Sequence, residues 1–336
     1  MQKKSVYIAY TGGTIGMKPS KCGYVPQPGF MSSYLNSLPE LQRAEIPHFI
    51  VHEYDELIDS ANMTPQHWQQ IADDIKKHYH HYDAFIILHG TDTMAYTASA
   101  LSFMLENLSK PVIVTGSQIP ISGLRSDGLT NLLNALYLVA HYPIREVCLF
   151  FNNKLFRGNR STKSHADGFD AFSSPNYPVL VEAGINIAIN YAALNVSARG
   201  EFKLHNITPQ PIGIVMLYPG ISPDVIRNIL QQPVNALILL TFGIGNAPDN
   251  PEILDLLHSA YQKGIIVLNL TQCFAGKVNM GGYATGNALE QVGVISGHDM
   301  TVEAALAKLH FLLSQTLTIE QVRQKMTTDL RGEVSL

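Results

Sequence analysis

Thr14, Thr91, Asp92 and Lys163 are the side chains whose types and settings could do chemistry. A threonine hydroxyl is a poor nucleophile until a base removes its proton. A lysine amine can be that base once burial or a cationic neighbour lowers its pKa, and an aspartate can hold the lysine in place. Thr14 lies in Tyr10-Thr11-Gly12-Gly13-Thr14-Ile15-Gly16, directly after an apolar run. Adjacent glycines permit positive φ and let a ligand approach the backbone, leaving amide N–H groups to face an anion or a developing oxyanion. The order is not the G-x-G-x-x-G of dinucleotide sites, and no Gly-Lys-Ser/Thr follows as in a phosphate loop. A plain tight turn accounts for these glycines equally well. Thr91 and Asp92 lie in Leu88-His89-Gly90-Thr91-Asp92-Thr93-Met94, where a strand meets a helix. There Asp92 and Thr93 would also serve as helix caps. Lys163 sits in the polar stretch Arg160-Ser161-Thr162-Lys163-Ser164-His165, and taken alone it is a solvated surface charge. What sets these residues apart is their company, since two strand-end loops each put a glycine before a threonine.

The elements that must position them alternate. Apolar strand candidates run at Val6–Ala9, Phe49–Glu53, Ala84–Leu88, Val112–Thr115 and Val147–Phe151, with helical patterns at Pro65–His78, Thr93–Leu105 and Gly128–Ala140 between them. Strands that alternate with helices argue for a parallel sheet with crossover helices, and apolar strands are expected when both faces are covered. Residues 184–211 break the rhythm with scattered polar residues and Pro209-Gln210-Pro211. The expected organisation is therefore α/β, with a larger N-terminal domain over 1–183, a linker over 184–211 and a smaller C-terminal α/β domain over 212–336. The second domain carries strands at Ile212–Leu217, Ala236–Leu240 and Ile265–Leu268, and helices at Pro223–Leu230, Pro251–Lys263, Val302–Leu313 and Ile319–Lys325. In open α/β sheets ligands bind beyond the carboxyl ends of the strands, so the loops there carry the chemistry.

With 23 basic and 27 acidic residues, the net charge of -4 gives no basic excess for nucleic acid or an anionic membrane. A small-molecule partner is expected. Cys22, Cys148 and Cys273 form neither a metal-ligand spacing nor an even disulfide framework. No metal or cofactor is expected. Met1-Gln2-Lys3-Lys4 is basic like the start of a signal peptide, but the apolar run after it ends at Gly12 without a small-residue cleavage site. It reads as a first strand, Ser5 to Tyr10. No stretch is long enough to span a bilayer, and the cytoplasm is the expected location.

Thr11-Gly12-Gly13-Thr14-Ile15 and His89-Gly90-Thr91-Asp92-Thr93-Met94 resemble the two signature motifs of the asparaginase/glutaminase family of bacterial amidohydrolases. Val114-Thr115-Gly116-Ser117-Gln118-Ile119-Pro120 and Arg125-Ser126-Asp127-Gly128 resemble its next two blocks, and the start without a signal peptide resembles the cytoplasmic type I branch. The resemblance implies hydrolysis of L-asparagine to L-aspartate and ammonia through a threonine acyl-enzyme, with weaker action on L-glutamine. It implies that Thr14 attacks the side-chain carbonyl and that Tyr24, on a lid loop, closes over the site and activates Thr14. It pairs Thr91 with Lys163, beside Asp92, to activate a water or the threonine. Gly13 and Thr91 would supply oxyanion-hole amides. Ser60 would bind the substrate carboxylate and Asp92 its ammonium, with Asp59, Ala61 and Ser117 nearby. Ala61 stands where the periplasmic branch has glutamine.

The family's sites form between subunits, which implies a homo-oligomer, dimer or tetramer, with Asn246 contributing from a neighbour and Glu290 or Glu303 as its acidic residue. Thr162 and Cys273 would line an effector pocket of the type I branch, but Leu240 stands where the pattern has an arginine. Asparagine cooperativity is therefore expected to be weak or absent. Two alternatives share the scaffold: an asparaginase-like subunit of a tRNA amidotransferase, and a non-catalytic amino-acid sensor.

Overall fold

The computed structural model describes residues 3–21, 23–195, 200–282 and 284–335, so Cys22 lies outside the described residues. The chain divides into two units, Met1–His205 and Asn206–Leu336.

In the first unit, the chain order is β1 (Ser5–Gly12), β2 (Met17–Ser20), β3 (Gly23–Pro26), α1 (Phe30–Ser37), β4 (His48–Ile58), α2 (Pro65–His78), β5 (Ala84–Leu88), α3 (Met94–Met104), β6 (Leu105–Glu106), β7 (Val112–Thr115) and α4 (Gly128–His141). It continues through β8 (Val147–Phe151), β9 (Lys154–Arg157), β10 (Thr162–Lys163), β11 (Phe172–Ser173), β12 (Val181–Ala183), β13 (Ile187–Ile189) and β14 (Lys203–Leu204). Strands β4, β1, β5, β7 and β8 lie side by side and parallel, with β1 inside the sheet rather than at its edge. Their central residues, Val6 to Tyr10, Ala84 to Leu88 and Val112 to Thr115, are buried on both faces. That is why they read as continuous apolar runs rather than alternating ones. Because β1 has β4 on one side and β5 on the other, the chain reverses its winding direction between β1 and β5. Such a switch point opens a crevice at the carboxyl ends of the two strands. The two glycine–threonine loops leave β1 and β5 at that place.

The sheet does not stop at β8. Strands β9, β12 and β13 extend it in antiparallel fashion to eight strands. This corrects the expected linker over 184–211. Ile187 and Ile189 pack on the first unit's core as β13 pairs with β12, and β14 pairs with β6. The hydroxyl of Tyr177 and the Arg157 guanidinium both donate to the Ala193 carbonyl, and the Asn195 N–H donates to Glu146, holding residues up to 195 on the first unit. The division falls between His205 and Asn206.

The second unit contains β15 (Ile212–Met216), α5 (Pro223–Leu230), β16 (Ala236–Thr241), α6 (Pro251–Gln262), β17 (Ile266–Thr271), α7 (Ala284–Gln291), β18 (Ile295–Ser296), α8 (Val302–Leu313) and α9 (Ile319–Met326). Its four strands are parallel and run in chain order. Ser222 and Asn250 cap α5 and α6 through their side chains, with Pro223 and Pro251 at the first helical positions. A buried ion pair closes the C-terminus: Lys308 on α8 meets Glu333 at 2.5 Å and also donates to the carbonyls of Met326 and Thr328. Among the described residues no helix is long and apolar enough to cross a membrane.

Candidate active site

Close backbone approach assembles the site. Gly13 adopts φ 88° and ψ 171°, a region that disfavours a side chain. A Cβ there would lie 2.3 Å from the Gly90 nitrogen, so the loops after β1 and β5 touch through backbone. A Cβ on Gly90 would lie 2.4 Å from the Ser60 hydroxyl oxygen, which brings the turn after β4 to the same point. Thr93 completes the link by donating its hydroxyl to the Ser60 carbonyl at 2.7 Å. Thr14 and Thr91 each follow one of the two touching glycines. The capping roles open to Asp92 and Thr93 are not used, since no side chain caps the start of α3.

Lys163 reaches this point from β10. Its ammonium donates to the Thr91 hydroxyl at 3.0 Å and to the Asp92 carboxylate at 2.6 Å. Thr91 is buried, while the Asp92 side chain is 63% exposed and stands at the rim. The Thr91 hydroxyl in turn donates a hydrogen bond to Gln118 Oε1 at 3.1 Å. Behind the loop, Asp127 accepts from the backbone N–H of Gln118 and Ile119, which fixes the turn after β7. The hydroxyls of Thr14 and Ser60 have no hydrogen-bond partner among the described residues, and both belong to loops that meet at the Gly13–Gly90 contact.

His89 lies beneath Gly90 and is fully buried. Burial pushes its imidazole down to about 4, although the bond to Gly90 works the other way, so the ring is neutral at physiological pH. The Gly90 carbonyl, 2.7 Å from Nδ1, can only accept, so Nδ1 carries the proton. Nε2 then accepts from the Thr97 hydroxyl at 2.9 Å, and Thr97 accepts from the Trp68 indole at 3.1 Å. This chain of donors holds the Gly90 carbonyl and, through it, the peptide that leads into Thr91.

Residues 5–195 match the family model described as Asparaginase, N-terminal, and residues 211–326 match the Glutaminase/Asparaginase C-terminal domain. The chain belongs to the asparaginase/glutaminase family. L-asparaginase 1 of Escherichia coli strain K12 is 64% identical over 335 residues, covering 100% of this chain and 99% of that protein. The crystal structure of L-asparaginase I from Vibrio cholerae O1 matches with a TM-score of 0.94 at 64% identity, covering 99% of this chain and 100% of that one. A glutamyl-tRNA(Gln) amidotransferase component of Pyrococcus abyssi is 31% identical over 98% of this chain and 76% of its own length.

The asparaginase signatures point to further residues. Met17–Ser20 and Gly23–Pro26 pair as two antiparallel strands rather than an open loop, and Tyr24 on the second is 57% exposed. Among the described residues Tyr24 makes no hydrogen bond to Thr14. Asp59 caps the short turn Ser60–Asn62 by accepting from the Ala61 N–H at 3.1 Å. Ser117 is buried and donates to the Ile119 carbonyl at 2.6 Å. Thr162 is half-buried on β10, paired with Ser173. In the second unit, Asn246 closes a turn with Phe242 after β16, and exposed Cys273 follows β17. Leu240 is half-buried near the end of β16. Glu303 is buried on α8, and Glu290 is exposed on α7. Gln118 and His89 lie inside the motifs, yet nothing in their spacing sets them apart, because their partners come from other loops.

Proposed function

We propose that this chain hydrolyses the side-chain amide of free L-asparagine to aspartate and ammonia, with slower use of L-glutamine. The observation that carries the proposal is the Lys163–Thr91–Asp92 contact beside the Gly13–Gly90 junction, in a chain 64% identical to an L-asparaginase over its whole length. Thr14 Oγ1 attacks the amide carbon. The C–N bond breaks as the nitrogen takes up a proton and leaves as ammonia, and water then cleaves the Thr14 ester. The Thr91–Lys163 pair removes the proton from an attacking oxygen, and the amides of Gly13 and Thr91 take up the oxyanion charge. Ser60, whose hydroxyl has no partner among the described residues, holds the substrate carboxylate, and Asp92 at the rim meets the ammonium. Asp59 acts by shaping the turn, with Ala61 and Ser117 beside it. Tyr24 acts on Thr14 only if the β2–β3 hairpin moves on substrate binding, and Tyr24→Phe tests this step.

The enzyme is proposed to work in the cytoplasm as a homo-oligomer, dimer or tetramer, in which Asn246 of a neighbour completes the site. Light scattering at assay concentration checks this, and a fully active monomer would contradict it. Thr162 and Cys273 are proposed to line an effector pocket weakened by Leu240, because a leucine offers no two-pronged bond to a carboxylate. A hyperbolic rate curve is expected; a steeply sigmoidal curve flattened by Thr162→Ala would refute it. Ammonia release from free asparagine by the purified chain alone tests the main proposal. A chain needing a partner subunit would point to the amidotransferase reading, and binding without turnover to a sensor.

A further inference from the structure

We propose that Gln118 sets the basicity of the Thr91–Lys163 pair by accepting the Thr91 hydroxyl proton; this rests on the role of that pair in asparagine hydrolysis. The orientation of the Gln118 amide is dictated by its surroundings. The carbonyls of Ala166 at 3.3 Å and Gly168 at 3.0 Å can only accept, so Nε2 faces them and Oε1 faces Thr91. The Asp127 carboxylate anchors the backbone on the other side. Thr91 has one hydroxyl proton and gives it to Oε1, while its lone pair accepts from Lys163.

Donation thus runs Lys163 to Thr91 to Gln118, an order that suits the protonated lysine. For a neutral Lys163 to act as base, the Thr91 hydroxyl must turn toward Nζ and give up its bond to Gln118. In the transfer, the Thr91 O–H bond breaks as its proton passes to Lys163. The attacking oxygen's proton passes to Thr91 Oγ1, and this new hydroxyl proton swings to Gln118. The amide therefore favours the state in which the pair has taken up a proton. Without that acceptor, the ammonium form would leave the buried Thr91 proton unpaired, and the pair would be a weaker base.

The charged and titratable groups on the elements around Lys163 are Asp92 after β5, Tyr96 on α3, Arg160 before β10, Asp127 behind Gln118, and His165, Asp167 and Asp170 on the loop after β10. Of these, Asp92 contacts the ammonium, and His165 is engaged with Asp167.

The test is a titration of Lys163 by NMR in the full chain labelled at lysine Cε, with the signal assigned by its loss in Lys163→Met. In Gln118→Met the Lys163 titration should fall by about 0.5–1 unit, the size of one ordinary hydrogen bond. In Gln118→Glu it should rise, because a carboxylate keeps an acceptor and adds negative charge. Thermal melts check that both variants are folded. The acid limb of kcat/KM for asparagine should move down with Gln118→Met by the same amount, whereas a merely structural role would lower the rate equally at every pH. An unchanged titration in both variants, or the same direction in both, overturns the proposal. A wild-type chain that releases no ammonia from asparagine removes the amidohydrolase reading instead, and the titration still decides the role of Gln118.

Discussion

Replacing Gly13 by alanine separates the geometry of the site from the stability of the fold. The new Cβ would lie 2.3 Å from the Gly90 nitrogen and 2.4 Å from its Cα, against ordinary contact beginning at 3.4 Å. Both clashing atoms are backbone, so no rotamer change relieves them, and the loops after β1 and β5 must part by about 1 Å. A misplacement of about that size costs roughly a hundredfold in rate, near 2.7 kcal/mol of barrier. The φ of 88° adds about 1–2 kcal/mol of backbone strain for a residue with a Cβ. Gly264, after α6, is the control. Its φ is 80°, but the nearest atom to its notional Cβ is 3.6 Å away, so Gly264→Ala meets the strain without the clash. Gly13→Ala should lose more stability than Gly264→Ala in denaturant unfolding, because it meets the clash as well as the strain, yet it should still fold. In an ammonia-release assay with asparagine, Gly264→Ala should stay within about twofold of wild type and Gly13→Ala should fall by about a hundredfold. If folded Gly13→Ala keeps activity within about threefold, the Gly13–Gly90 contact does not position the reacting groups.

Thr14→Ala should fold normally and lose nearly all turnover, with Thr14→Ser retaining some; activity within about tenfold of wild type, roughly 1.4 kcal/mol, would exclude Thr14 as nucleophile. Lys163→Met and Thr91→Val should each cut kcat severely, and the double variant should be little worse than either, because the two act as a unit; additive losses would show independent roles. Lys308→Met should destabilise the second unit by about 3–5 kcal/mol, since Glu333 would be left buried without its partner, and a denaturation midpoint close to wild type would refute this. Burial works to raise the Glu333 carboxyl, but the Lys308 ammonium and the Arg331 amide overcome it and hold it below the usual carboxylate range. A carboxyl lowered on folding contributes stability that is complete above its unfolded pKa, about 4.3, and is lost as pH falls through the lower folded value. Wild-type stability should therefore drop below about pH 4 more steeply than that of Lys308→Met, as read from melts across pH.

The parallel strands and crossover helices were legible because each is a long apolar or amphipathic run, and the two glycine–threonine loops stood out at the ends of β1 and β5. Chemistry alone offered Lys163 as a candidate base for a threonine; its pairing with Thr91, 72 residues away, was implied by the family resemblance. What stayed hidden depends on partners distant in sequence. The β2–β3 hairpin is built from four-residue strands that include Pro19 and Pro26, which read as loop. Strand β13 has three residues, too few for a periodic signal, and is defined by pairing with β12. Gln118 looked like one polar residue in a turn until the carbonyls of Ala166 and Gly168 fixed the direction of its amide.

The donor chain behind Gly90 has an optical consequence. Trp68 is the single tryptophan of the chain, and its ring is buried. Its indole is tied through Thr97 and His89 to the Gly90 carbonyl. Intrinsic fluorescence excited at the indole band therefore comes from one fluorophore at a known address, three hydrogen bonds from the peptide that carries Thr91. Its emission is expected to be that of a buried, hydrogen-bonded ring rather than a solvated one. A ligand that shifts the Gly90–Thr91 peptide changes the polarity and bonding around that ring, so the molecule carries its own spectroscopic reporter of events at the crevice.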